Sequence, residues 1–581
     1  MTNGPKFRVW APKAREVSIA IGEHLRTGHK EPGGWFSSEL LPDGCDYFVR
    51  VDGCDLPDPR SRHQPKGVSG PSRYVVSPFD WQDQRFRAPP LSAAVIYELH
   101  LGTFTREGTL AAAAARLPYL VELGVTHVEL MPLATYPGRW GWGYDGVALF
   151  APHPAYGTPD DVKRFVASCH AHGLAVLLDV VYNHLGPDGN YLGEFGPYFT
   201  DRYHTPWGAA VNLDGAGSDE VRRFFIDNAR MWLEEYHFDG LRLDAVHALF
   251  DESARHLLQD IAEAVRALEP MLGKPLCVIA ESDQNDPRIT RAPELGGYGL
   301  SAQWSDDFHH ALHAALTGET SGYYADFGRI EQIARALSDG FVYAGDYSPF
   351  RQRRHGQPLG DASGHRLLGY LQNHDQVGNR ARGERIGHLV SEGRARIGAA
   401  LVLMSPYVPM LFQGEEWGAS APFQYFTDHQ NPELAQAVQR GRREEFAQFG
   451  WDPAQVPDPQ AEATFRRSQL DWSELTRSPY KERLGFYRAL IGLRKRTPDL
   501  LDGRRDRVHV SFDEDARWLR MQRGSVTLLA NLSERRLELP RPQGTLAIRS
   551  CEMGARDQSA FVLEPESCYI FVAGAPNAPA T

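Results

Sequence analysis

Cysteine is scarce in this chain. There are six (Cys45, Cys54, Cys169, Cys277, Cys551 and Cys568) in 581 residues, and no CxxC pair. That points to reduced thiols in a cytoplasmic protein rather than to a disulfide framework. Cys169 and Cys277 fall in apolar runs and read as inert packing residues. Long apolar runs are missing too. The opening "MTNGPKFRVWAPKA" lacks the apolar core of a secretory signal, and no later run is long enough to span a bilayer. No membrane partner is expected. Basic charge is in the minority, with 62 Lys and Arg against 74 Asp and Glu and a net charge of -12. Such a chain does not attract polyanions, so nucleic acid is not an expected partner. The one basic run, "RQRRHG" (351–356), is too isolated to reverse that. A neutral partner such as a sugar is untouched by the argument. Repeats and low-complexity tracts are also lacking.

What is present is length, more than one core can organise, and three textures along it. Residues 1–90 carry short alternating runs ("KFRVWAP", "EVSIAIG", "CDYFVRVDG") between turn residues. This is the pattern of an antiparallel β-sandwich, of the kind found in carbohydrate-binding modules. The proline-marked "RFRAPPLSA" (85–93) follows as a linker. From 91 to 500, continuous apolar runs alternate with helical patterns: "AVIYELH", "VTHVELMP", "LAVLLDVVYNH", "GLRLDAVH", "PLCVIAES", "LLGYLQNHD" and "PMLFQGEE". Apolar strands separated by helices are parallel strands buried on both faces. An eighth strand is placed near "LSAQWSD" (300–306). The expected fold is therefore an α/β (β/α)8 TIM barrel, lengthened by an insertion over 317–364. Helix starts are marked by Thr158 before Pro159, and by Ser218 in "SDEVRRFF". A long amphipathic helix over 478–500 closes the barrel, and 501–581 returns to short strands as a C-terminal all-β domain.

In such barrels chemistry gathers at the carboxyl ends of the strands. Polar residues break the apolar pattern there repeatedly. Asp179, Asn183 and His184 follow the third strand; Arg242, Asp244 and His247 belong to the fourth. Glu281 closes the fifth, and His374 with Asp375 closes the seventh. Taken singly, each has a bland reading: Asp179 as a structural carboxylate, His184 as a satisfied histidine, Arg242 with Asp244 as an ion pair. Three carboxylates on three strand ends, with histidines and an arginine, converge on one cavity if the barrel closes. Arg242 and Asp244, two apart, share a strand face, so Arg242 can keep Asp244 ionised. Glu281 ends an apolar strand, where desolvation favours its protonated form. One ionised and one protonated carboxyl are the equipment of a glycosidase. Asp375 is a third carboxylate able to grip sugar hydroxyls. "GRWGWGYDG" (138–146) sets Trp140, Trp142 and Tyr144 in a glycine-rich loop, as exposed rings that stack on sugars or as rings packed on the barrel rim.

"DVVYNH", "GLRLDAVH", "VIAES" and "LQNHDQ", in this order and spacing, resemble the four sequence regions of the α-amylase superfamily (glycoside hydrolase family 13). The resemblance implies that Asp244 is the nucleophile, Glu281 the general acid/base and Asp375 the transition-state stabiliser. It implies that Arg242, His184, His374 and Tyr144 shape the subsite of the attacked sugar. His247 stands where some amylases carry lysine and would face the leaving-group side. A retaining mechanism follows, with carboxyl groups about 5–5.5 Å apart. No cofactor and no catalytic metal are expected, although Asn183 matches an asparagine that binds calcium in many α-amylases. "LQNHDQVGNRARGERI" (371–386), "APFQYFTDH" (421–429) and "GFVYAGDYSPFRQRRHG" (340–356) look like the trehalose-releasing branch of the superfamily. That implies maltooligosyl trehalose and related α-1,4-glucans as substrates, and pairing with a maltooligosyltrehalose synthase. The alternatives are a glucan branching or debranching enzyme of the same family, and a non-catalytic glucan-binding protein. The last need not retain all three carboxylates.

Overall fold

A computed structural model describes residues 6–76, 78–205, 207–448, 456–552 and 560–574, with backbone only at 445–448. The outermost limits of the expected terminal domains, at 1–5 and 575–581, lie outside the described residues. The apolar runs form eight strands: β1 (Ile96–Leu99), β2 (His127–Leu130), β3 (Ala175–Val180), β4 (Gly240–Leu243), β5 (Cys277–Ala280), β6 (Ala302–Trp304), β7 (Leu367–Tyr370) and β8 (Val408–Phe412). They close a barrel in chain order, every neighbouring pair parallel. The strand near 300–306 is β6.

The period of two along each strand explains what this barrel holds. Ile96, Leu177, Ile279, Ala302, Leu368 and Met410 meet inside it as an apolar plug. Two residues further along the same faces stand Glu98, Asp179, Glu281, Trp304, Tyr370 and Phe412. The apolar layer thus supports a polar one at the carboxyl ends. The intervening residues, such as Val128, Leu178, Leu241, Leu243 and Val278, pack outward against the helices.

Helix Pro159–Ala171 starts as expected: Thr158 and Asp161 form a reciprocal capping box, with Pro159 in the first turn. Helix Ser218–Glu234 starts differently. Its N-cap is Gly217, in the left-handed region at φ 80°, and Ser218 is already the first helical residue. A turn bond from the Ser218 N–H to Gly215 O (3.1 Å) sets this entry, and Asp219 and Glu220 complement the helix dipole. The 317–364 insertion contains helix Ile330–Asp339 and a small hairpin, Tyr347–Ser348 with Arg353–Arg354. The closing helix runs Tyr480–Arg496.

Before the barrel, two antiparallel sheets form the sandwich. Its large rings Phe7, Trp10, Trp35, Phe36 and Tyr47 are buried, and Arg8 covers Trp35 at 4.6 Å. Among its described residues no large aromatic is fully exposed. After the barrel, a five-stranded antiparallel sheet and a two-stranded one form the C-terminal domain. All six cysteines are unpaired. No helix among the described residues is long and apolar enough to cross a membrane.

The linker is tied to the amino-terminal face of the barrel by a buried charge network. His170 sits between Asp83 (2.7 Å) and Asp239 (2.9 Å), and Lys274 pairs with Asp239 (2.9 Å). Phe86 stacks on His170, and Trp81 on His237, which also contacts Asp83. Burial opposes the charge on His170, but the two aspartates outweigh it and raise its pKa. Burial likewise opposes ionisation of Asp83 and Asp239, and their histidine and lysine partners lower both. The histidine's contribution to stability is complete below its unfolded value of about 6.5 and is lost as pH rises through the raised folded value. The aspartates contribute above about pH 3.9 and lose that contribution as pH falls. Asp83→Asn is therefore expected to destabilise the protein by about 2–3 kcal/mol near pH 5.5, and less above pH 8. Denaturant melts at the two pH values check this; an equal loss at both would remove the charge from the explanation.

Candidate active site

Arg242 organises the floor of the cleft. It has no solvent exposure, and its guanidinium lies 4.3 Å from the Trp304 ring centroid. Nη1 donates to Asp179 Oδ1 (2.8 Å) and Oδ2 (2.7 Å) and to Asp244 Oδ1 (2.8 Å). Nη2 stands 2.8 Å from Glu281 Oε2, an ion pair whose angle is too poor for a hydrogen bond. One cation thus serves three carboxyl groups, where the sequence pattern suggested only Asp244. Burial works against the charge on Arg242, and the carboxylates outweigh it.

The same surroundings drive two carboxyl groups apart. Burial raises the pKa of Asp244, but Arg242, His184 and the Asn183 amide together bring it below the ordinary value. Asn183 Nδ2 donates to both Asp244 O and Asp244 Oδ2, at 2.8 Å each. Glu281 goes the other way. Burial, with Asp244 and Asp375 nearby, lifts its pKa well above the usual range despite Arg242. Ala245, next to Asp244, is held in the left-handed region at φ 38°, and its N–H donates to Glu281 Oε2 at 2.7 Å. A non-glycine residue there is strained, and the strain aims this N–H at the second carboxyl group. Asp375 is partly exposed and held more loosely, by Asn379 at 3.2 Å, with His374 Nε2 at 3.7 Å.

Tyr144 and His374 form the wall beside this floor. The Tyr144 hydroxyl donates to Asp179 Oδ2 (2.6 Å) and lies 2.7 Å from His374 Nε2, the two rings stacked. His184 binds Asn183 Oδ1 through Nδ1 (2.6 Å) and stacks on Trp207, 4.2 Å between centroids. The cleft above has a volume of ≈ 610 Å³ and is bounded by Asp244, Glu281, Asp375, Tyr144, His184, His247, Trp142 and Trp207. Leu434 and Val438 of helix Pro432–Gln448 close one side. On the His247 side, Arg351 of the insertion pairs with Asp283 at 3.0 Å.

Of the residues singled out in the sequence, all but one line this cleft or its floor. Trp140 does not. It is buried against Phe465, 5.8 Å between centroids and nearly parallel, with Arg139 over its face. Its reading as an exposed sugar platform is corrected to rim packing. Trp142 is buried as well, donating to Gln424 O (2.9 Å) and stacking on Phe423. Its indole edge takes the room that a side chain at Gly378 would need. Only part of it reaches the cleft. Sequence reasoning missed Trp207, which tips the hairpin Phe199–Thr205/Gly208–Val211, and Glu98, which holds His374 from below. Glu98 carried the same signal as Arg242, a charge inside an apolar strand. Trp207 carried a weaker one, a tryptophan between proline and glycine.

A closed parallel barrel with three carboxyl groups at its carboxyl-end cleft, two of them on one buried arginine, defines a glycoside hydrolase of the α-amylase class. The family model for the alpha amylase catalytic domain matches residues 75–203, and that of a domain of unknown function (DUF3459) matches 503–570. The chain is 46% identical to the malto-oligosyltrehalose trehalohydrolase of Rhizobium sp. (strain M-11), over 97% of each chain. It is 52% identical to that of Arthrobacter ramosus, over 85% of this chain and 87% of the relative. A solved structure from Salmonella typhimurium, assigned to the alpha amylases, superposes with a TM-score of 0.90 at 38% identity, covering 99% of both chains. This chain belongs to the malto-oligosyltrehalose trehalohydrolase family.

Proposed function

We propose that the chain hydrolyses the α-1,4 bond between a maltooligosaccharide and its terminal trehalose, releasing free trehalose with retention at the anomeric carbon. The observation that carries this reading is the convergence of Asp244, Glu281 and Asp375 on one cleft, the first two on a single guanidinium. The names of the relatives supply the choice of substrate within the class.

In the first step Asp244 attacks the anomeric carbon while its bond to the trehalose oxygen breaks. The proton of Glu281 goes to that oxygen, and trehalose leaves. Glu281, now a carboxylate, takes a proton from water. The water oxygen replaces Asp244 on the anomeric carbon, and both groups return to their starting states. Asp375 grips hydroxyls of the attacked ring, with Tyr144, His184 and His374 around it. Trp207, through its stack on His184, extends that side. Trehalose lies on the side of His247 and the Arg351–Asp283 pair. A maltooligosyltrehalose synthase, which builds the trehalose terminus, is the partner reaction that this substrate requires.

Incubation with maltotriosyl-trehalose and, separately, with maltopentaose tests the reading, the products being separated by chromatography. Trehalose release at least about tenfold faster than cleavage of maltopentaose is expected. New α-1,6 linkages on amylose without free trehalose would place the chain among branching enzymes instead.

A further inference from the structure

Four side chains run in a line under the cleft, and their hydrogens can be counted. Glu98 Oε1 contacts His374 Nδ1 (2.5 Å), His374 Nε2 contacts the Tyr144 hydroxyl (2.7 Å), and that hydroxyl contacts Asp179 Oδ2 (2.6 Å). Each contact needs one hydrogen between its heavy atoms. A neutral imidazole and a phenol bring two between them. The line has three contacts, so one further proton is present.

The surroundings decide where it sits. Glu98 accepts on both oxygens, since Oε2 takes the backbone N–H of His374 at 2.9 Å. Asp179 accepts from Arg242 on both oxygens. Its carboxyl is pushed up only to about 6, by burial with Asp244, against the pull of Arg242 and His374. The remaining site is the ring of His374, as an imidazolium. The ring's own balance agrees: burial opposes the charge, and Glu98, then Asp375, outweighs it and raises the pKa despite Arg242. The other polar neighbour is His100, which burial keeps neutral with a pKa of about 3. Trp142 and Trp304 supply ring faces and edges without charge.

The strand register sets a second buried carboxyl group beside Glu98. Glu98 on β1 is paired with Glu129 on β2. Both are buried, but neither oxygen of Glu129 has a hydrogen-bond partner. Burial, and then Glu98 and Asp179, raise its pKa well above the usual range. Two adjacent buried carboxyl groups cannot both be ionised without partners. Of the two, Glu98 has the partners, the His374 ring and its backbone N–H, and Glu129 has none.

We propose that Glu98 is a positioning residue for the glycosidase reaction: it fixes His374 as an imidazolium whose Nε2–H donates permanently to the Tyr144 hydroxyl and so locks that wall of the attacked sugar's subsite. The location of that sugar rests on the function proposed above. The imidazolium also places a second cation, after Arg242, near Asp179 and Asp375, at the wall of the cleft where the carboxylates must stay ionised.

The test compares kcat/KM for trehalose release from maltotriosyl-trehalose in wild type, Glu98→Gln and His374→Gln, from about pH 5 to about pH 8. Without Glu98 the buried ring deprotonates at lower pH. The deficit of Glu98→Gln is therefore expected to grow at least tenfold across that range, converging at the alkaline end on that of His374→Gln. A deficit equal at both ends, or none, overturns the proposal, because a purely structural role would lower the profile without moving it. A second measurement needs no Glu98 variant and no turnover. In ¹⁵N-histidine-labelled wild type at about pH 8, both nitrogens of the His374 ring, identified by their loss in His374→Gln, are expected to be protonated. A neutral ring there overturns the inference even if Glu98→Gln fails to fold. If wild type releases no trehalose but this ring is protonated, it is the choice of substrate that has failed.

Discussion

Asp244→Asn is expected to lower kcat for trehalose release by at least about 10⁴-fold. The carboxylate is the only ionised group held at the end of β4 with its oxygens facing both Arg242 and the cleft. An amide has the same shape but no charge with which to form the glycosyl bond. It also has one acceptor where two donors, Arg242 Nη1 and Asn183 Nδ2, now converge on two carboxylate oxygens. One of those donors would meet the amide NH₂, which cannot accept. The variant therefore loses a little stability as well as its chemistry. Sugar binding rests on groups around the cleft that the substitution leaves in place, so calorimetric affinity for maltotriosyl-trehalose should stay within about tenfold of wild type. Activity retained within tenfold of wild type would sink the mechanism.

The second large effect concerns the proton. Glu281→Gln is expected to reduce trehalose release by about 10²–10⁴-fold, because the amide has no proton to give to the leaving oxygen. Its effect should depend on the leaving group. With an α-maltosyl fluoride, whose fluoride departs without a proton, the formation of the glycosyl-enzyme should be much less impaired than with maltotriosyl-trehalose. The pH dependence follows in sign from the same surroundings. The pKa of Glu281 is raised by burial and by its carboxylate neighbours, so the group is protonated up to that raised value and ionises above it. Wild-type activity therefore falls on the alkaline side as Glu281 loses its proton, and on the acid side as Asp244 gains one. Glu281→Gln acting on the fluoride should keep the acid limb and lose the alkaline one. Equal impairment on both substrates would show that Glu281 is not the proton donor.

The barrel was legible because its signals are local. Seven continuous apolar runs and a weaker eighth, each bounded by turns and separated by helix-length segments, admit few arrangements other than parallel strands covered on both faces. The polar residues that end those runs were legible for a related reason. A charge in an apolar strand needs a compensating partner or a cavity, and several such strands can share one cavity. Tyr144 was found by its glycine-rich loop, and Asp179, Asn183, His184, Arg242, Asp244, His247, Glu281, His374 and Asp375 in this way. Glu98 could have been, by the same rule.

The failures share a cause as well. Trp140 and Trp142 stand two residues apart in one loop, in nearly identical local sequence. Trp140 is packed against Phe465, and Trp142 against Phe423 and Gly378, partners more than 200 positions away. Nothing within the loop distinguishes a ring that reaches the cleft from one that packs on its rim.

The sequence alone determined the class of fold, the order of its strands, and the residue types at the strand ends, because strand periodicity and the penalty for burying charge act over a few residues. The tertiary structure alone decided which contacts set the two carboxyl groups apart. Asp244 and Glu281 are both carboxyl groups at the ends of apolar strands. One is the ionised group and the other the acid because Asn183, His184 and the Arg242 hydrogen bond converge on the first, while the second keeps only a poorly aligned ion pair and one backbone N–H. Electrostatic interactions in a desolvated cleft depend on distances between groups brought together by folding, and no spacing along the chain encodes those distances.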